Sequence, residues 1–188
     1  MSSFQQTVGI VGATGAVGLE VITCLHRRSF PFPKNPDGTL PRLTLRLFAS
    51  PRSAGKVIST PYGDLTVEAF RVEAAQECRF VFLAVSGDFA LEHAKNICAN
   101  GTTVVIDNSS AFRYMDDIPL VVPEINADKL RGASLIANPN CTTAIAAVVL
   151  WPLHKVSQKN AYTKRHTHNH TIQTQALKHA LTQKCIHS

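Results

Sequence analysis

The residues best able to do chemistry in this chain of 188 residues lie in Asn138-Pro139-Asn140-Cys141-Thr142-Thr143. Asn140 suits a helix N-cap, and a thiol in the first turn behind it sits where the positive end of the helix favours a thiolate. Such a thiolate can add to a carbonyl carbon and carry a covalent intermediate. For any single cysteine the bland alternative is a buried, inert side chain. Cys24, Cys78 and Cys98 fit that alternative, because they fall on helix or strand faces without a polar setting.

A second group is Gly12-Ala13-Thr14-Gly15-Ala16-Val17-Gly18, between the apolar run 7–12 and a helical stripe of Val17, Val21, Ile22 and Leu25. Glycines at 12, 15 and 18 allow a tight turn and a close approach of backbone N–H groups to a pyrophosphate. The spacing is GxxGxxG, not the GxGxxG of the common dinucleotide fingerprint, so a ligand-free βα turn stays open as a reading. After the second strand, where that fingerprint has an acidic residue, the chain has Ser50-Pro51-Arg52-Ser53. A cation flanked by hydroxyls suits a 2′-phosphate and points to NADP as the cofactor; a solvated loop arginine is the alternative.

The elements that must position these groups read as alternating strands and helices. Strands are expected at 7–12, 43–49, 65–70, 80–85, 102–106 and 134–137, with helices at 15–28, 89–99 and 141–154. Ser29 to Pro41 holds four prolines and reads as loop. The alternation predicts an α/β fold, a Rossmann-like, doubly wound, mostly parallel sheet over residues 4–154. Its last element is the helix of Cys141. Residues 155–188 read as a disordered low-complexity tail rich in His, Thr and Gln, with at most a short helix at 174–181.

Charge separates the same two parts. Up to His154 the chain carries 13 basic and 13 acidic residues, and beyond it 6 basic and no acidic ones. The body therefore has no basic face for nucleic acid. No apolar run approaches the ~18–20 residues that span a membrane, so no membrane partner is expected. Five cysteines at unrelated spacings suggest neither a disulfide framework nor a metal site, and a cytoplasmic location is expected. His166, His168 and His170 could hold zinc or nickel weakly, but a solvated tract is favoured.

Five segments in one order complete a resemblance. They are 12–18, Ser50-Pro51-Arg52-Ser53-Ala54-Gly55-Lys56, Asp107-Asn108-Ser109-Ser110-Ala111-Phe112-Arg113, Val121-Val122-Pro123-Glu124-Ile125-Asn126 and 138–143. Across residues 7–154 the chain resembles the aspartate-β-semialdehyde dehydrogenases. The resemblance implies NADP-dependent interconversion of aspartyl phosphate and aspartate semialdehyde, a step of amino-acid biosynthesis. Cys141 would be the nucleophile, forming a thiohemiacetal and then a thioacyl enzyme that phosphate displaces. Asn140 would help hold the oxyanion, and Arg113 would bind the phosphate or phosphoryl group. Gly12, Ala13, Thr14, Gly15, Ala16, Val17, Gly18, Ser50, Arg52 and Ser53 would form the cofactor site, joined by Ser86, Gly87 and Asn138.

Past His154 the resemblance stops. The family's general-base histidine, the rest of its substrate clamp and most of its dimer interface have no match, so the chain reads as truncated and catalytically incomplete. A cofactor-binding or protein-interaction module without activity is the alternative. Loss of the family's covering elements would leave Ala144, Ile145, Val148, Val149 and Trp151 partly exposed.

Overall fold

Parallel strand pairing organises the residues that the computed structural model describes, 6–28 and 43–164. β1 (Gln6–Val11) is flanked by β2 (Leu43–Ala49) and by β5 (Phe80–Leu83). β4 (Gly63–Ala69) pairs with the outer side of β2, and β3 (Val57–Thr60) with β4. On the other side β6 (Val104–Asp107) follows β5, and β7 (Leu135–Ala137) follows β6. The order is thus β3-β4-β2-β1-β5-β6-β7, with only the β3–β4 pair antiparallel.

Apolar residues fill both faces of this sheet, as parallel sheets require. On β5, Val81 and Leu83 enter the core under α3 (Gly87–Cys98), which contributes Ala90, Ala94 and Ile97 at helical spacing. Phe80 and Phe82 point the other way, into a core where Ile22 and Leu25 of α1 (Ala16–Arg27) meet Val8, Ile10, Leu45 and Leu47. The expected doubly wound, Rossmann-like α/β arrangement is present.

The chain divides into two compact units. Residues to Val121 together with Asp128–Asn138 form one, and Val122–Ala127 together with the chain from Pro139 form the other. The second holds α4 (Pro123–Asn126) and α5 (Cys141–Lys164). The helix of Cys141 was expected to close the cofactor domain at residue 154. It groups instead with the second unit and runs to Lys164, ten residues into the segment expected to be a tail. Gln, Lys and Ala are adequate helix formers, so a polar composition did not stop it. Ile145, Val148, Val149, Leu150, Leu153 and Val156 of α5 are exposed, while Ala144 and Trp151 are half-buried. The Pro-rich loop, the histidine tract, the helix expected at 174–181 and Cys185 lie outside the described residues.

Two smaller departures have simple causes. β3 was missed because it is an edge strand of only four residues, too short to show a pattern, turned into β4 by a hairpin with Gly63 at φ +102°. The reading of Cys24 as buried was wrong: α1 buries Ile22 and Leu25, leaving Cys24 on the outer face, 3.6 Å from Glu20 Oε1. Cys78 is buried as expected, although in the bend before β5, and burial pushes its thiol up to about 11.

Arg46 ties β2 to its neighbours. Its Nε and Nη2 donate to both oxygens of Glu68 on β4, at 2.8 and 2.6 Å. Its Nη1 donates to Glu77 at 2.6 Å and to the Ala74 carbonyl of α2 (Val72–Gln76) at 3.0 Å. The bidentate bond from Arg46 lowers the Glu68 pKa, against an opposing effect of burial. A carboxylate depressed in the folded state adds stability above its unfolded pKa, and that stability is lost as pH falls through the folded value. Urea midpoints should therefore drop below the ordinary glutamate range near pH ~4.3. Glu68→Gln should flatten that drop by a modest amount, about 1 kcal/mol or less for so exposed a pair.

Candidate functional site

The glycine turn between β1 and α1 is built by backbone contacts that leave no room for side chains at two of its three glycines. Gly12 has φ +83°, and a Cβ there would lie 2.2 Å from the Ala84 carbonyl oxygen. A Cβ on Gly18 would lie 2.4 Å from the Gly12 carbonyl oxygen, so this glycine serves the close approach of α1 to the turn. Gly15 differs. Its φ is −84°, it is exposed, and a Cβ would come no closer than 3.4 Å to the Gly12 oxygen. The fold itself tolerates a side chain at 15, so close packing within the turn is not what calls for glycine there.

Gly15 is the N-cap of α1 and offers no side-chain cap to the first-turn N–H groups. Thr14, Gly15, Ala16 and Val17 are exposed, whereas Ala13, expected among the cofactor contacts, is fully buried, backbone included, and presents no surface to a ligand. These features fit a pyrophosphate cradle.

The neighbouring loops are fixed to the same edge of the sheet. Gly12 N and Ala13 N both donate to the Phe48 carbonyl, at 2.8 and 3.2 Å, next to the end of β2. From there the chain enters a 3₁₀ turn, Pro51–Ser53, that carries Arg52 exposed and without a partner among the described residues. A free guanidinium there fits a 2′-phosphate. Beyond β5, Ser86 caps α3 by accepting from Phe89 N at 3.4 Å, and Gly87 faces Ser110 with ordinary clearance.

Sequence reasoning quoted Asp107 and Asn108 but gave them no role. Asp107 is fully buried at the end of β6 and accepts from Ser109 N (3.1 Å) and Ser109 Oγ (2.6 Å). Ser109 Oγ accepts in turn from Ala111 N, so the carboxylate shapes the turn leading to Arg113. Arg113 donates through Nε to the Asn138 carbonyl and through Nη2 to the Asn108 carbonyl, both at 3.0 Å. Asn138 Nδ2 donates to Asn108 Oδ1 at 2.8 Å. The Asp-Asn-Ser sequence after a strand was the available signal, since such residues bond their own backbone in turns.

In the second unit, Asn140 acts as the expected N-cap of α5. Its Oδ1 accepts from Thr142 N at 2.9 Å, and its carbonyl accepts from Ala144 N at 2.9 Å. Cys141 is exposed, with Sγ 3.8 Å from Asn140 Oδ1 and 3.9 Å from Thr142 Oγ1. With Oδ1 committed to the cap, the Asn140 amide NH2 remains available as a donor beside the thiol.

Among the described residues no His, Cys, Asp and Glu cluster could hold a metal ion, and no helix is long and apolar enough to cross a membrane. A family model described as semialdehyde dehydrogenase, NAD binding domain, matches residues 7–133. The aspartate-semialdehyde dehydrogenase of Synechocystis sp. is 41% identical over 150 residues, covering 79% of this chain and 41% of that protein. The solved aspartate semialdehyde dehydrogenase II of Vibrio cholerae, complexed with ASA, superposes with a TM-score of 0.67 at 36% identity, over 80% of this chain and 47% of that one. The Candida albicans enzyme with NADP gives 0.63 at 27% identity, over 80% and 47%. The chain spans about two fifths of the length of the curated relatives it matches.

The three glycines should separate by experiment. Gly12→Ala and Gly18→Ala should each cost on the order of 2–4 kcal/mol in urea unfolding. Gly15→Ala should stay within about 1 kcal/mol of the parent and weaken dinucleotide binding in a fluorescence titration. Brief iodoacetamide treatment with peptide mapping should label Cys141 quickly and leave Cys78 untouched; a labelled Cys78 would contradict its burial.

Proposed function

The chain belongs to the semialdehyde dehydrogenase family through its NAD-binding domain, and on that premise we propose that its chemistry is that of an aspartate-semialdehyde dehydrogenase using NADP. The observation that carries this reading is the shared edge of the sheet. There the glycine turn after β1, Ser50–Arg52 after β2 and the turn to Arg113 after β6 all leave the carboxyl ends of parallel strands of one sheet, where ligands of open α/β sheets bind.

In this reading Gly12 to Gly18 hold the pyrophosphate, with Gly15 and the uncapped first turn of α1 closest to it. Ser50, Arg52 and Ser53 hold the 2′-phosphate, as the bound NADP of the Candida albicans relative makes chemically reasonable. NADP supplies a hydride acceptor or, when reduced, a hydride donor. The Cys141 thiolate adds to the carbonyl carbon of aspartate semialdehyde, and the Asn140 amide donates to the carbonyl oxygen as it gains charge. Oxidised NADP, held by the glycine turn and Ser50–Ser53, would supply the acceptor for the adduct's hydride, and with the hydroxyl proton lost Cys141 carries a thioester. Phosphate paired with Arg113 then attacks that acyl carbon and releases the thiolate as aspartyl phosphate forms. We place the reaction in the cytoplasm, in keeping with the free thiols of Cys24, Cys78, Cys98 and Cys141 among the described residues.

No residue in the chain matches the family's general-base histidine, and a group of cooperating residues loses most of its effect when one is missing. The 188 residues purified alone should bind NADP yet reduce it only marginally with aspartate semialdehyde and phosphate. Brisk turnover would overturn that expectation, and absence of dinucleotide binding would favour an interaction module. NADP should bind about tenfold more tightly than NAD, the worth of one charge-assisted contact. Arg52→Ala should remove most of that difference in a calorimetric titration, and equal affinities in the parent would refute the assignment.

A further inference from the structure

We infer that Asn108 and Asn138 are positioning residues, a side-chain amide pair that holds the Arg113 guanidinium with its Nη1 edge free. The inference rests on the reading of Arg113 as the group that meets the substrate's phosphate.

The last backbone bond between the two strand ends runs from Asn138 N to the Asp107 carbonyl, at 2.8 Å. The two carbonyls that receive Arg113 belong to Asn108 and Asn138, each one peptide farther along. Backbone pairing therefore stops short of them. The Asn108 peptide is held from its other side by Ser109 N, which donates to Asp107 Oδ1 at 3.1 Å, whereas the Asn138 peptide is followed by Pro139 and has no N–H to hold it. The Asn138 Nδ2 to Asn108 Oδ1 bond joins those two residues directly. Both asparagines are exposed, where one amide pair adds little to folding stability. Its effect falls on the guanidinium instead. With Nε and Nη2 engaged, Nη1 has no partner among the described residues, and the planar fork fixes where it points. Asn138 was expected among the cofactor contacts; this geometry gives it a different role.

The test uses the full chain and two variants of equal size and charge. Asn138→Asp removes the donated N–H and sets a carboxylate against Asn108 Oδ1, so the pair re-forms only by turning the Asn108 amide over. Asn108→Asp still accepts from Asn138 Nδ2 and keeps it. In a nitrogen–proton correlation spectrum, the Arg113 Nε–H signal, assigned by its loss in Arg113→Ala, should exchange slowly with water in the parent. Asn138→Asp should speed that exchange about five- to tenfold, the worth of one hydrogen bond. Asn108→Asp should leave it within about twofold, as expected when the bond persists. Binding of inorganic phosphate, titrated in parallel, should weaken more in Asn138→Asp than in Asn108→Asp. Asn108→Ala and Asn138→Ala should each raise the exchange, and the double variant should be no worse than either, which tests the pair should an Asp variant fail to fold.

Unchanged exchange in either alanine variant, or additive alanine effects, would overturn the inference. So would weakened NADP binding by Asn138→Asp with Arg113 exchange unchanged, which would make Asn138 a cofactor contact. If the exchange pattern holds while phosphate binding ignores Arg113→Ala, the positioning role stands and the substrate reading of Arg113 falls.

Discussion

Each strand end at the carboxyl edge of the sheet is locked to the next by one backbone bond, and the candidate site depends on that series. The Phe48 carbonyl receives Gly12 N, Val11 receives Ala84 N, Leu83 receives Asn108 N, and Asp107 receives Asn138 N. Each bond carries the pairing one step past the end of a strand, into the loop that bears a functional residue. Parallel pairing makes this possible, because every loop that leaves a carboxyl end emerges on the same side. In an antiparallel sheet the same loops would alternate between opposite edges.

Packing supports that edge from behind. Val8, Ile10, Val81, Leu83 and Val105 are almost wholly removed from water, so β1, β5 and β6 cannot shift register without moving each side chain into the opposite core and undoing its packing. Arg46 performs a similar service on the other side of β1, gripping β4 and the end of α2 through one guanidinium. A rigid scaffold of this kind allows the loops to carry exposed, unpaired donors such as Arg52.

Much of this was legible in the sequence where residue type and geometry are tightly linked. β2 was placed to the residue from its apolar run, and the Asn140 cap from its position before Cys141. Gly12 and Gly18 could be named as turn glycines, but only coordinates show that Gly15 differs in having space around it. β3 was hidden because an edge strand needs little apolar patterning, and the outward face of Cys24 because one residue's offset on a helix reverses its exposure. The length of α5 was hidden for the opposite reason, since composition marks polarity and not backbone conformation. The Asn108–Asn138 pair joins residues 30 apart in sequence, a separation that no local pattern reveals.

Pro152 lies inside α5 and has no N–H to return to the Val148 carbonyl. The ladder of the helix is therefore interrupted between the turn that bears Cys141 and the turns beyond. Fraying that starts at the distal end meets a gap before it reaches the cap at Asn140. The turns past Pro152 are thereby coupled less tightly to the helix start that carries the thiol.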